Sequence, residues 1–163
     1  MSEELNTLSR MVNDALRKRG FTLSVAESCT GGSIASAITS IPGSSDIFKG
    51  GIVAYANEVK RDILSVSEEN LQIYGAVSEQ VVRQMVVGVA SIMHTTCAIA
   101  TSGVAGPGGG SPEKPVGTVW VAFLVDGKVD TCKLTIEDCG REANIEVTTL
   151  ETLKKIHSLL CDS

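Results

Sequence analysis

The sequence predicts an α/β fold, a three-layer α/β/α sandwich around a mixed sheet, and three observations predict it. Segments with apolar residues at helical spacing alternate with short strand-like runs. Asp126-Gly127 separates two consecutive strand-like runs and marks a hairpin, which brings an antiparallel pair into the sheet. The run CAIATSGVAG is apolar on consecutive small residues, the pattern of a strand covered on both faces.

The elements follow in order. Leu5, Leu8, Met11, Val12 and Leu16 recur at helical spacing and Gly20 supplies a stop, which sets a first helix over residues 3–19. FTLSVAES reads as a strand, after which Thr30 is the expected cap of a helix through Gly31, Gly32 and SIASAITSI, ending at Pro42-Gly43. GIVAYA is a second strand, with Asn57 as the expected N-cap of EVKRDIL. Val77-Ser78-Glu79 opens a long helix with an apolar stripe at Val81, Val82, Met85, Val86 and Val89. CAIATSGVAG is the buried strand, GPGGGSPEKPVG a loop, TVWVAFLVDG and KVDTCKLTIE the hairpin arms, and residues 141–161 the last helix. Neither a repeat nor a linker divides the chain, so a single domain over 1–163 is expected.

Composition narrows the function. With 43% hydrophobic and 20% charged residues the chain can bury a full core, and a net charge of −5 without a Lys/Arg run argues against a nucleic-acid partner. No apolar run approaches the roughly 20 residues of a membrane span, so no membrane association and a cytoplasmic location are expected. Five cysteines, an odd number, with no C-x-x-C pair and no close histidine, read as reduced thiols rather than a metal site. The two histidines, His94 and His157, fall in or at the end of expected helices, so a nucleophile here needs another base.

Polar residues collect after the expected strands: Glu27 to Gly32, Tyr55 to Lys60, then Thr101-Ser102-Gly103 and the glycine loop. In α/β sheets ligands bind in the crevice outside the carboxyl ends of strands, which places the site there. The glycine loop lacks the Gly-Lys-Ser/Thr of a nucleotide-binding P-loop, and the prolines in Ser111-Pro112-Glu113-Lys114 argue against a helix that would pair Ser111 with Lys114. Cys29 precedes a helix N-terminus, where a dipole favours a thiolate; a buried, inert thiol is the competing reading. Ser28, Thr30, Gly31 and Gly32 read either as a strand-to-helix cap or as a pocket wall whose N–H groups meet a substrate oxygen, and two glycines in a first helical turn favour the second. Ser45, Tyr55 and Lys60 surround one strand-to-helix turn. A dipole and burial acting on Lys60 would lower its pKa and supply a base for a serine, whereas an ordinary lysine at that place is simply solvated.

Taken together, AESCTGG, PGSSDIFKGGIVAYANEVK, GAVSE and SGVAGPGGGSPEKPVGTVW resemble, in order and spacing, the C-terminal domain family of competence-damage protein CinA, whose stand-alone members are nicotinamide-nucleotide amidases. The resemblance runs from about Leu5 to about Val125. It implies hydrolysis of the carboxamide of nicotinamide mononucleotide to nicotinate mononucleotide and ammonia, with no metal and no cofactor, by a stand-alone form lacking the N-terminal domain of longer members. A homo-oligomer and a small-molecule nucleotide partner are expected. Carried over, the resemblance makes Ser45 the nucleophile, Lys60 the base and Tyr55 their hydroxyl partner, with Ser28 and Ser102, followed by Gly103, in the pocket. The family's second arginine at the start of the last helix is absent here and the register is shifted, which leaves Arg141 as the best cation for a phosphate. Two other classes fit the same residues: a binding module for pyridine nucleotides without efficient turnover, and an interaction domain that works with a partner protein.

Overall fold

The computed structural model describes residues 1–162. Helix α1 (Glu3–Arg19) begins where the Ser2 hydroxyl accepts the Leu5 N–H at 3.2 Å, and it ends at Gly20, whose φ of 68° suits a residue without a Cβ. Glu3 and Glu4 occupy its first turn and Arg17, Lys18 and Arg19 its last, each matched to the helix dipole. The chain continues through β1 (Leu23–Glu27), α2 (Ser33–Thr39), β2 (Phe48–Val53), α3 (Asn57–Asp62), α4 (Glu68–Tyr74), α5 (Glu79–Met93), β3 (Cys97–Gly103), β4 (Thr118–Val125), β5 (Lys128–Thr135) and α6 (Arg141–Asp162).

The strands form one mixed sheet in the order β2-β1-β3-β4-β5. β2, β1 and β3 run parallel, and β4 and β5 are antiparallel additions joined by a hairpin at Asp126 (φ 48°) and Gly127 (φ 88°). Two residues at positive φ are what a tight hairpin turn requires. On one face Val25, Ile99, Val121 and Phe123 pack with Val12, Leu16, Ile34, Ile38, Leu153 and Ile156 from α1, α2 and α6. On the other, Ala26, Ala98, Ala100 and Ala122 offer a floor of small side chains on which α5 lays Val82, Met85, Val86 and Val89, with Leu64 and Val66 alongside. The fold is therefore the expected α/β/α arrangement with helices on both faces.

Three local expectations need correction. Thr30 does not cap α2: Gly32 holds the N-cap position with φ 104° and no side-chain bond. Asn57 is not the N-cap of α3 either, because helical backbone already includes it and Ala56 precedes it in extended conformation. Helix α4 is an element the sequence pattern does not reveal. Only Leu71 of its seven residues is buried and Ile73 is 63% exposed, so no apolar stripe announces it; its signal is the Ser67 hydroxyl accepting the Asn70 N–H at 3.1 Å.

The chain leaves β1 toward β2 on one side and reaches β3 on the other. This reversal opens a crevice between the carboxyl ends of β1 and β3. Close packing beneath it is exacting at Gly88 of α5, where a Cβ would stand 2.1 Å from the Leu64 carbonyl oxygen. Helix propensity favours alanine over glycine by about 1 kcal/mol, but overpacking against backbone costs about 1–3 kcal/mol or more, so steric conflict wins. Gly88→Ala is expected to lower the urea midpoint, corresponding to a net loss of up to about 2 kcal/mol. An unchanged midpoint would mean that the segment from Ile63 to Val66 yields without cost.

Candidate active site

The turn after β1 is shaped by its own sequence. Gly31 (φ 59°) and Gly32 (φ 104°) supply the left-handed backbone that turns the chain from strand into α2, which answers why two glycines stand there. The Gly31 N–H donates to the Ser28 carbonyl at 3.0 Å, and the Ser28 N–H continues the sheet by donating to the Thr101 carbonyl at 3.0 Å. Thr30, 3% exposed, shares a hydroxyl hydrogen bond of 2.8 Å with Thr101 and ties the turn to β3. The Glu27 carboxylate reaches past the turn and accepts the N–H groups of Ile34 and Ala35, at 3.0 Å each.

Lys60 comes from α3, after the parallel neighbour β2, and is 1% exposed. Its Nζ donates to the Ala54 carbonyl at 2.8 Å, meets the Ser28 Oγ at 3.0 Å, and has the Tyr55 carbonyl at 3.5 Å. No carboxylate forms an ion pair with it among the described residues. Burial lowers its pKa below the ordinary lysine value. The neutral amine suits this setting, since two carbonyls can take its two N–H groups and the remaining lone pair can accept the Ser28 proton. Burial, rather than the helix dipole, lowers the pKa of the lysine. Burial also pushes the Cys29 thiol up to about 12, the reverse of the thiolate reading, so Cys29 is a neutral neighbour.

Ser28 and Cys29 open onto a cleft of about 280 Å³. Its other walls are Tyr55 after β2, Val77 before α5, the segment from Gly103 to Gly109 after β3, and Arg141 at the start of α6. The Arg141 guanidinium donates at 2.7 Å to the Gly106 carbonyl and at 2.7 Å to the Tyr55 hydroxyl. Buried Asn144, one turn later, donates to the Ala105 carbonyl at 3.0 Å and to Asp138 at 3.0 Å. Helix α6 thus holds two consecutive carbonyls of the glycine-rich segment. The sequence pattern does not single out Val77 or Asn144.

The structure brings together Ser28, Tyr55, Gly103, Lys60 and Arg141, and leaves the other expected residues elsewhere. Ser45 is exposed in a 3-10 turn, Ser44–Asp46, that precedes β2 beside the end of α1, where Arg17 donates to the Gly43 carbonyl at 3.2 Å. Leu23 pairs with Phe48 and Glu27 with Val53, so the six-residue β2 separates Ser45 from Lys60 by about 20 Å, and the two cannot act on one substrate carbon. The Tyr55 hydroxyl meets Arg141 instead of a serine or the lysine, and the ring is 60% exposed. Thr30, Gly31 and Gly32 shape the turn without lining the cleft, and Ser102 is buried within β3. Ser111-Pro112-Glu113-Lys114 is a turn closed by the Lys114 N–H on the Ser111 hydroxyl at 3.0 Å, with the Lys114 ammonium on the Tyr74 carbonyl. Among the described residues no group of three or more metal-ligating side chains is present, and no helix is long and apolar enough to cross a membrane.

The buried lysine has a consequence for stability. Since the folded pKa of Lys60 is lowered, the unfolded chain alone binds this proton between that lowered value and the ordinary value of about 10.4. Stability must rise with pH across this window, and the contribution is lost as pH falls through the folded pKa. Relative to Lys60→Met, the wild type is therefore expected to gain in urea midpoint as pH rises toward about 10. A difference independent of pH would mean that Lys60 keeps its charge in the fold.

Similar sequences and the same fold occur in known proteins. The pattern of the CinA C-terminal domain matches residues 5–160. The chain is 53% identical over 135 residues to a nicotinamide-nucleotide amidohydrolase PncC of Enterobacter agglomerans, covering 82% of each protein. It is 52% identical over 120 residues to the protein of that name from Escherichia coli K12, covering 74% of this chain and 73% of that one. A CinA-like protein of Cytophaga hutchinsonii is 42% identical over 157 residues, and there the chain spans 96% of its own length but 37% of its relative's. Among solved structures, the competence/damage inducible protein CihA from Agrobacterium tumefaciens superposes with a TM-score of 0.94 at 39% identity, over 98% of this chain and 97% of that one. A CinA superfamily protein from Klebsiella pneumoniae 700603 does so with 0.94 at 33% identity, over 98% and 99%. The chain belongs to the CinA C-terminal domain family.

Proposed function

We propose that this protein hydrolyses the carboxamide of nicotinamide mononucleotide to nicotinate mononucleotide and ammonia, with Ser28 as nucleophile and Lys60 as its base. The observation that carries this reading is the 3.0 Å contact between the Lys60 amine and the Ser28 hydroxyl, with the lysine buried and without a carboxylate partner. A serine without histidine needs a base that is neutral near physiological pH, and a dry lysine is such a base. The substrate class follows from the name of the amidohydrolase relatives, and the cleft has the size and polarity for a small nucleotide.

The cycle uses groups already in contact. Neutral Lys60 takes the Ser28 proton as Oγ bonds to the carboxamide carbon, and backbone N–H groups are the proposed donors to the oxyanion that develops. Collapse of this intermediate breaks the C–N bond, the Lys60 ammonium returns its proton to the leaving nitrogen, and ammonia departs. Water, deprotonated by Lys60, then attacks the Ser28 ester; the C–O bond to Ser28 breaks, the Lys60 ammonium returns its proton to Ser28 Oγ, and the acid leaves and ionises in solvent. Arg141 binds the nucleotide phosphate at the other end of the cleft. Its present partners, a carbonyl and a phenol hydroxyl, are neutral, so its charge is free to meet an anion.

Ser28→Ala is expected to abolish ammonia release from nicotinamide mononucleotide, while Ser45→Ala stays within about twofold of wild type. The reverse outcome would move the nucleophile to the far end of β2 and defeat this mechanism. Ligand binding without ammonia release from the wild type would instead identify a binding module. For Arg141→Ala, a rise in KM well beyond the loss in kcat is expected, because a contact remote from the reacting carbon contributes mainly uniform binding. Steady-state kinetics decide this, and an unchanged KM would remove Arg141 from the site.

A further inference from the structure

The mechanism leaves one buried acidic group unused. Glu27 is 1% exposed, it immediately precedes Ser28, and both of its carboxylate oxygens are engaged by the first-turn N–H groups of α2. We propose that Glu27 is a positioning residue that holds Ser28 against Lys60 by clamping the turn between β1 and α2. The inference rests on Ser28 being the nucleophile.

Three observations carry it. First, the turn is soft by composition, because Gly31 and Gly32 both take positive φ and no side chain at the Gly32 N-cap ties the helix to it. Something else must fix where the helix starts relative to the strand, and the two short bonds from Glu27 do so in a bidentate geometry that allows little rotation. Second, the Glu27 backbone is joined to the lysine side of the site. The Glu27 carbonyl accepts the Ala54 N–H at 2.8 Å, and the Ala54 carbonyl accepts from Lys60 Nζ at 2.8 Å. Glu27 is thus one residue from the nucleophile along the chain and two hydrogen bonds from the base through space. Third, the φ of 104° at Gly32 disfavours an ordinary side-chain cap at the N-cap position, so the carboxylate from β1 is what meets the first-turn N–H groups. Reaching back from inside the sheet joins the cap to the serine.

The test uses wild type, Ser28→Ala and Glu27→Gln, with circular dichroism fixing a temperature at which all are folded. Glutamine keeps the shape of the side chain but turns an NH2 toward an N–H donor, so one of the two bonds is lost. Glu27→Asp, which keeps the charge but is one methylene short, repeats the test if Glu27→Gln does not fold. With nicotinamide mononucleotide, kcat is expected to fall by about 100-fold, the usual effect of misplacing a reacting group by about 1 Å, while KM changes less than about threefold. A second substrate, p-nitrophenyl acetate, removes the nucleotide from the question: Ser28 Oγ takes the acetyl group, the ester C–O bond breaks, p-nitrophenolate leaves, and Lys60 takes the serine proton. After subtraction of the Ser28→Ala rate, release of p-nitrophenolate is expected to fall by a similar factor. Equal rates for wild type and Glu27→Gln, both above Ser28→Ala, would overturn the role of Glu27 alone. A wild type that releases p-nitrophenolate no faster than Ser28→Ala would remove the nucleophile and this inference with it. A wild type active on the ester but releasing no ammonia would defeat the nucleotide reading and leave the Glu27 comparison intact.

Discussion

The proposed chemistry depends on keeping one lysine dry. In water the Lys60 ammonium could only donate to Ser28, and a serine facing a charged lysine has no base. Burial lowers the pKa of the amine, and the carbonyls of Ala54 and Tyr55 satisfy the nitrogen without an acidic group that would hold the proton on it. The cost of a buried amine is borne by the two cores on either side of the sheet, which the four alanines under α5 help to close.

Parallel pairing makes the contact possible. β1 and β2 run side by side with Glu27 opposite Val53, so whatever follows each strand emerges at the same edge of the sheet. Ser28 follows one and Lys60, a few residues on, follows the other. The reversal of connection between β1 and β3 then opens space in front of the serine, and α6 closes that space from the far side through Arg141 and Asn144 on adjacent carbonyls. Two chemical ends result: a buried serine-lysine contact and, across the cleft, a guanidinium.

Much of the architecture was legible because it is local. Helical spacing located α1 and α5, continuous small apolar residues located β3, and Asp126-Gly127 located the hairpin. Helix α4 escaped because an exposed short helix carries no stripe, and Asn57 was misread as a cap because a polar side chain at a helix start need not bond to it. At the site, Lys60 and Arg141 were the cations the sequence singled out, and both border the cleft or the serine beside it. Ser45, paired with Lys60 around one turn and made the nucleophile by the resemblance, lies at the other end of β2. Six residues are about 20 Å when they form a strand, whereas Ser28, 32 positions away, is in hydrogen-bond contact with the lysine. The signal was present in another form: Ser28 and Lys60 both come after strands, and Ser45 comes before one. Glu27 gave no such signal, since a carboxylate that caps from seven residues upstream matches no local capping pattern.

The central claim is that Ser28, made nucleophilic by Lys60, is the reactive group. Inactivation with a fluorophosphonate, followed by peptide mapping of the phosphonylated residue, tests it most directly, with nicotinamide mononucleotide as a protecting ligand. The account predicts one label on Ser28, formation blocked by the nucleotide and lost in Lys60→Met. A label on Ser45, or loss of activity with Ser28 unmodified, would contradict it.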